Sequence, residues 1–196
     1  FHRMHMDLPL TCAQVGEHSV ISMVNVQDAS EEWSVLEHRP TQLERDIYTI
    51  TAFQRKTEKG YVAAAEGLMV CLGDGIDPYH WQFLRSRMDV GADDAIEKVW
   101  SPMILWSDAA HKAMLPEYIR TRRTTPHKQS FEVFKAGTPF AGALRTEQLS
   151  NFDGVLFVPN FDLLSRAEQK RLLDLRIPFV GTAPKDCDLS RLGCTF

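Results

Sequence analysis

The stretch DGVLFVPNFDLLSRAEQKRLLDLRIPFVGTA, residues 153–183, decides the fold class. Gly154-Val155-Leu156-Phe157-Val158 is a short apolar run between turn-type residues, the pattern of a strand buried on both faces. Pro159-Asn160-Phe161-Asp162 cannot continue a central strand, so the chain must turn there. Ser165 then caps a helix with Glu168 as its capping-box partner, and Leu164, Leu172, Leu173 and Leu175 supply the apolar stripe. Ile177-Pro178-Phe179-Val180 returns as a second strand and stops at Gly181. Two apolar strands joined by an amphipathic helix make a βαβ unit, and a right-handed crossover makes the strands parallel. The fold class is therefore α/β with a parallel sheet.

Working outward, 196 residues suffice for one large domain or two small ones. A net charge of −4 gives no electrostatic reason to expect nucleic acid or an anionic membrane, and leaves a small-molecule or glycan ligand open. Cys12, Cys71, Cys187 and Cys194 are too sparse for a disulfide framework or a CxxC metal site. Cys71 lies in an apolar run and is expected to be buried; Cys187 and Cys194 are left either paired or free. This cysteine usage points to a soluble, cytoplasmic chain rather than a secreted one. No apolar run approaches the ~20 residues that span a bilayer. The chain starts with Phe rather than Met, so a processed product or a piece of a larger protein is expected.

Upstream, residues 1–17 show no clean period, and the HxxHxD pattern of His2, His5 and Asp7 is expected to be exposed terminus rather than a metal site. Residues 20–26 form a β-branched strand that runs into Gln27-Asp28-Ala29-Ser30-Glu31-Glu32-Trp33. Three carboxylates and an indole there suit a sugar-binding or catalytic loop at a strand's carboxyl end, and equally a solvated loop. Thr41 is expected to cap a helix, with Glu44 as partner and Leu43, Ile47, Ile50 and Phe53 on one face, extending toward Thr57.

Residues 67–73 make a second strand that ends in Gly73-Asp74-Gly75. Asp77 is then the N-cap and Pro78 the first residue of a helix whose packed side carries Trp81, Phe83, Leu84 and Met88. A soft boundary before Trp100 divides the chain into residues 1–98 and 99–196. In the second part, Pro102 to Ser107 is a strand and Asp108 is expected to cap the following helix. Phe131 to Phe134 is a short strand or helix.

Two chemistries are conceivable. Cys71 before a glycine turn resembles a nucleophile elbow, yet Met69 is too large for that turn and Val70 and Leu72 favour an inert thiol. A carboxylate pair, Asp74 with Asp28, Glu31 or Glu32, has the composition for glycoside hydrolysis. Asp28 and Asp74 are the catalytic candidates; Asp77, His80 and Trp81 are those for substrate contact. No metal and no cofactor is expected.

From Trp100 to Ala183 the order of features resembles the domain that follows the catalytic barrel in β-galactosidases of the thermophile type. That trimerisation domain has a flavodoxin-like sheet related to class I glutamine amidotransferases. Met103-Ile104-Leu105-Trp106-Ser107 and NFDGVLFVPNFDLLSRAEQKRLL carry the likeness. The preceding half then corresponds to the last two units of a (β/α)8 barrel: strand 20–26, helix 41–57, strand 67–73 and helix 77–88. The resemblance implies a sugar-processing enzyme with a structural or oligomerising C-terminal domain, and so a homo-oligomer. It also implies an acid/base after an earlier barrel strand that this chain lacks, and a nucleophilic Glu at the end of the penultimate strand, where this chain reads Gln27-Asp28, with Glu31 and Glu32 farther on. The amidotransferase GxCxG motif and His-x-Glu are absent. A different class of function, a non-catalytic flavodoxin-like binding or interaction module, would use the crevice near Ser107-Asp108 or Asn160-Phe161.

Overall fold

The computed structural model describes residues 2–16, 18–26, 35–71, 76–91, 96–122 and 127–183, excluding the side chains of residues 2–5. It is α/β, and the chain divides into two compact units, Arg3–Lys98 and Val99–Phe196. No helix among the described residues is long and apolar enough to cross a membrane.

The first unit begins with helix α1, His2–Val15, where an irregular terminus was expected. Met6, Leu8, Pro9, Leu10, Cys12 and Ala13 are buried, while Asp7, Thr11, Gln14 and Val15 are exposed along one face. Pro9 inside the helix reads in sequence as a breaker, and it concealed the element. Strand β1, Ile21–Asn25, follows, then the short helix α2, Val35–His38, and helix α3, Pro40–Ala52.

Pro40 occupies the first turn of α3, Arg39 precedes it as N-cap, and no side chain caps the end. Thr41 is therefore inside the helix rather than its cap. Its expected partner Glu44 instead binds Arg87 Nε at 3.0 Å, joining α3 to the later helix α4, Pro78–Gly91. Leu43, Ile47 and Ile50 form the buried face of α3, as their spacing predicts.

The helix stops at Ala52 rather than near Thr57. Strands β2, Gln54–Thr57, and β3, Gly60–Ala63, form an antiparallel hairpin around the Glu58-Lys59 turn. Gly60 has φ of 131°, a conformation that side-chain-bearing residues rarely adopt. Strand β4, Gly67–Cys71, then pairs in parallel with β1, with Ile21 opposite Gly67, Met23 opposite Met69 and Asn25 opposite Cys71. Gly91, at the end of α4, is fixed by close approach: a Cβ there would stand 1.8 Å from Thr51 Oγ1 of α3.

Among the described residues, the two faces of the β1–β4 pair differ in burial. Val24 is buried on the side where α3 packs. On the other side Ile21, Met23 and Met69 are 65%, 42% and 53% exposed. Parallel strands ordinarily lie in sheets covered on both faces, so a bare apolar face on such a pair is unusual.

The second unit holds four parallel strands: β5, Met103–Trp106; β6, Gly142–Arg145; β7, Leu156–Val158; and β8, Phe179–Gly181. Their spatial order is β6-β5-β7-β8. Every residue of β5 and β7 is buried, as a strand packed on both faces requires. Helices α5, Asp108–Thr121, α6, Lys128–Lys135, and α7, Arg166–Leu175, complete the unit. Residues 131–134, left open between strand and helix, belong to α6. Strand β6, four residues beginning Gly142-Ala143, was not anticipated.

The βαβ unit at residues 153–183 forms as expected, with β7 and β8 parallel and the Ser165–Glu168 capping box complete on both sides. Its stripe is narrower than predicted. Leu164 and Leu172 are buried, whereas Leu173 and Leu175 are exposed. Ser107, not Asp108, caps α5, its Oγ accepting from the backbone N–H of Ala110 at 3.2 Å.

Glu168 does more than close its own helix. One oxygen, Oε2, accepts from Ser165 N at 2.8 Å, Ser165 Oγ at 2.7 Å and Ser107 Oγ at 3.0 Å. It thus ties the start of α7 to the start of α5. Hydrogen bonds to a charged acceptor are worth about 1.5–3 kcal/mol, so Glu168→Ala is expected to lower stability by about 2 kcal/mol. A shift in the denaturant midpoint of the second unit measures this; Ser165→Ala, which leaves the Ser107 bond in place, is expected to cost less.

Candidate functional site

Because β1 and β4 are parallel neighbours with Asn25 opposite Cys71, their carboxyl ends lie side by side. The loops that leave these ends carry the carboxylate candidates. Asp28 and Asp74 lie outside the described residues, as do Glu31, Glu32, Trp33 and the Gly73-Asp74-Gly75 turn.

The structure describes all three candidates for substrate contact. Asp77 is exposed at the start of α4, and its Oδ1 accepts from the backbone N–H of His80 at 2.8 Å, as an N-cap does. Its second oxygen stands 3.4 Å from His80 Nδ1, so Asp77 and His80 form one unit. Trp81, expected on the packed side, is 47% exposed; Leu84 is the buried anchor of this helix.

Sequence reasoning passed over Tyr79, which is 72% exposed and meets the His80 ring edge-on at 5.6 Å. The consecutive run Tyr79-His80-Trp81 in a first helical turn was the available signal. Adjacent residues on a helix point in different directions, so these rings surround the helix start instead of forming one flat platform.

At the opposite, amino-terminal edge of the same strand pair, Ser19 Oγ donates to Glu66 Oε2 at 2.6 Å, and Arg55 pairs with the other carboxylate oxygen. The Ser19 hydrogen bond and the Arg55 guanidinium hold the Glu66 carboxyl below its usual range. This edge joins segments of the fold. Of the thiols, Cys12 is buried, donates to Ala64 O at 3.3 Å and has its pKa raised by desolvation. Cys71, expected to be buried, is half-buried and free. Cys187 and Cys194 lie outside the described residues.

In the second unit, Ser107-Asp108 follows β5 and Asn160-Phe161 follows β7, two strands that pair with each other. Asp108 is held by a two-pronged contact from Arg145, at 3.0 and 3.2 Å, and by Trp106 Nε1 at 2.8 Å. These bonds, Arg145 first, keep its carboxyl below the usual range. Asn160, at φ 54°, accepts from Gln129 Nε2 at 2.7 Å through its side chain and donates through its backbone N–H to Thr182 Oγ1 at 3.0 Å. Thr182 Oγ1 donates in turn to Gln129 Oε1.

The polar groups at these two strand ends are hydrogen-bonded to neighbouring side chains. Asp108 and Glu168 place two carboxylates at the N-terminus of α5, where a phosphate would otherwise be attracted. An anionic ligand is disfavoured there on charge.

Beside it stand three rings: Trp106 is 5.1 Å from His111 and 5.0 Å from His127, and the two imidazoles stack at 5.5 Å with 18° between their planes. In-plane lone pairs of rings stacked in this way do not converge on a shared metal ion. Burial, with His111 nearby, pushes the His127 pKa down to about 4. No protein-family model matches the chain, and no curated protein or solved structure matches it either.

Proposed function

We propose that the chain is the C-terminal part of a (β/α)8-barrel glycoside hydrolase, followed by a flavodoxin-like domain with a structural or oligomerising role. The observation that carries this reading is the half-covered β1–β4 pair. In a (β/α)8 barrel, helices cover the outer face of each strand and side chains of the other strands fill the inner face. Val24 on the α3 side, and bare Ile21, Met23 and Met69 on the other, match that division.

Active sites of this architecture sit at the carboxyl ends of the strands, the edge from which residues 27–33 and 72–75 depart. Asp28 and Asp74 are assigned the acid/base work, and Asp77, His80 and Trp81 the contacts with sugar. The reaction is hydrolysis of a glycosidic bond between two carboxyl groups.

A second reading has its own support. The order β6-β5-β7-β8 reverses direction at the β5/β7 boundary, the place where doubly wound sheets bind ligands. Under that reading the chain is a non-catalytic binding or interaction module that uses the crevice near Ser107 and Asn160.

Glycan-array binding by the wild type, Asp74→Asn and Asn160→Ala separates the two. The barrel reading expects Asp74→Asn to change the glycan profile and Asn160→Ala to leave it intact. The reverse pattern supports the module and contradicts the barrel site.

A further inference from the structure

Of the three described helices in the second unit, α6 is anchored least firmly. It has eight residues, and no side chain caps its start. Ser107 caps α5, and the Ser165–Glu168 box caps α7. The buried residues of those two helices are the apolar Ala110 and Leu172. The buried residue of α6 is Ser130, wholly shielded from solvent, and its hydroxyl has no hydrogen-bond partner. A buried hydroxyl without a partner opposes the packing that buries it.

Ring and polar contacts of the first turn of α6 reach three strand ends. His127 stands against Trp106, the last residue of β5, and stacks on His111 of α5, whose Nδ1 is buried without a partner. Gln129 is hydrogen-bonded to Asn160, just beyond β7, and to Thr182, just beyond β8. At the other end, the chain leaves α6 through Ala136 to Gly137. The φ of Gly137 is 100°, a conformation open to glycine, and a Cβ there would meet nothing within 4 Å.

We propose that α6 is a lid over the carboxyl ends of β5, β7 and β8, hinged at Gly137 and latched by Gln129 and His127. Opening breaks the ring stack and both Gln129 contacts, and uncovers Trp106, which is 3% exposed in the closed form. An element with little buried apolar surface opens at a lower free energy than the core strands beside it. Eight residues are too few for a helix to persist alone in water, so the lifted segment also unwinds. Such an opening controls access to the strand ends beneath it. The lid uses contacts of the second unit alone and depends on neither functional reading above.

The test uses the whole 196-residue chain. Hydrogen exchange of the wild type is followed peptide by peptide without denaturant. Ser130→Cys, and Ala143→Cys in the buried part of β6, are treated with iodoacetamide, and labelling at each position is timed by mass mapping. Both are also made together with Gln129→Ala.

The lid expects α6 amides to exchange about tenfold faster than those of α5 and α7, and Ser130→Cys to be labelled faster than Ala143→Cys by a similar factor. Gln129→Ala is expected to raise labelling of Ser130→Cys about tenfold further, the value of one or two net hydrogen bonds, and to leave Ala143→Cys unchanged. The exchange measurement is made on the wild type, so it does not depend on a variant folding. If α6 exchanges only together with β5 and β7, the lid is overturned. Fraying of the helix ends alone leaves position 130 as protected as position 143, and that result also overturns it. Labelling of Ser130→Cys that Gln129→Ala leaves unchanged overturns the latch, and the proposal with it.

Discussion

Acidification from pH 7 to pH 4 is expected to cost the second unit about 3 kcal/mol through one side chain, His127. Its imidazole stands 5.0 Å from the Trp106 ring and 5.5 Å from that of His111, and burial lowers its pKa in the folded chain to about 4. In the unfolded chain an ordinary value near 6.5 applies. Between these values the unfolded chain binds a proton that the folded chain does not. Stability is therefore complete above about pH 6.5, falls as pH drops toward 4, and levels off below it.

At 1.36 kcal/mol for each pKa unit, the gap of about 2.5 units gives the expected loss. Asp108, lowered by Arg145 and Trp106, is lost in a more acidic window, below the usual carboxylate value, so the two contributions separate along the pH axis. His127→Phe keeps a flat ring in the stack and has no proton to bind. Its unfolding free energy, followed by hydrogen exchange in β5 and β7, is expected to be nearly flat from pH 6.5 to 4. A slope equal to that of the wild type would remove His127 as the cause.

Elements whose local and global signals agree were legible in the sequence. Residues 153–183 combine an apolar run, a capping box and a second apolar run, and all three features form. The α3 stripe and the Asp77-Pro78 helix start were readable for the same reason. Helix α1 was hidden because Pro9 inside it reads as a helix breaker. Strands β2 and β3, only four residues each, were absorbed into the preceding helical pattern until Gly60 turned the chain.

The position of the α5 cap shifted by one residue because Ser107 and Asp108 are both capping types. Only the extended backbone of Ser107, at φ −133°, decides between them. The Trp106, His111 and His127 stack had no sequence signature: its members come from a strand end and two helix starts, and packing alone brings them together. In the candidate site, the capping role of Asp77 was readable, whereas the exposure of Tyr79 and Trp81 depends on which face of α4 packs.

Asp74→Asn is expected to reduce glycoside turnover by about 10²- to 10⁴-fold, the usual contribution of a positioned acid or base. Asparagine keeps the size and hydrogen-bonding shape of the side chain but cannot carry the proton, so binding is expected to persist while kcat falls. Asp28→Asn is expected to act in the same direction, since the two residues follow strands whose carboxyl ends adjoin. If each removes half of one acid/base pair, the double variant loses little more than the worse single one.

The most direct measurement is hydrolysis of a panel of aryl β-glycosides by the barrel protein of which this chain is proposed to be the C-terminal part, with Asp74→Asn alongside. The account predicts turnover of at least one glycoside by the wild type and its loss in Asp74→Asn. No turnover of any glycoside, or turnover that Asp74→Asn leaves unchanged, would contradict it.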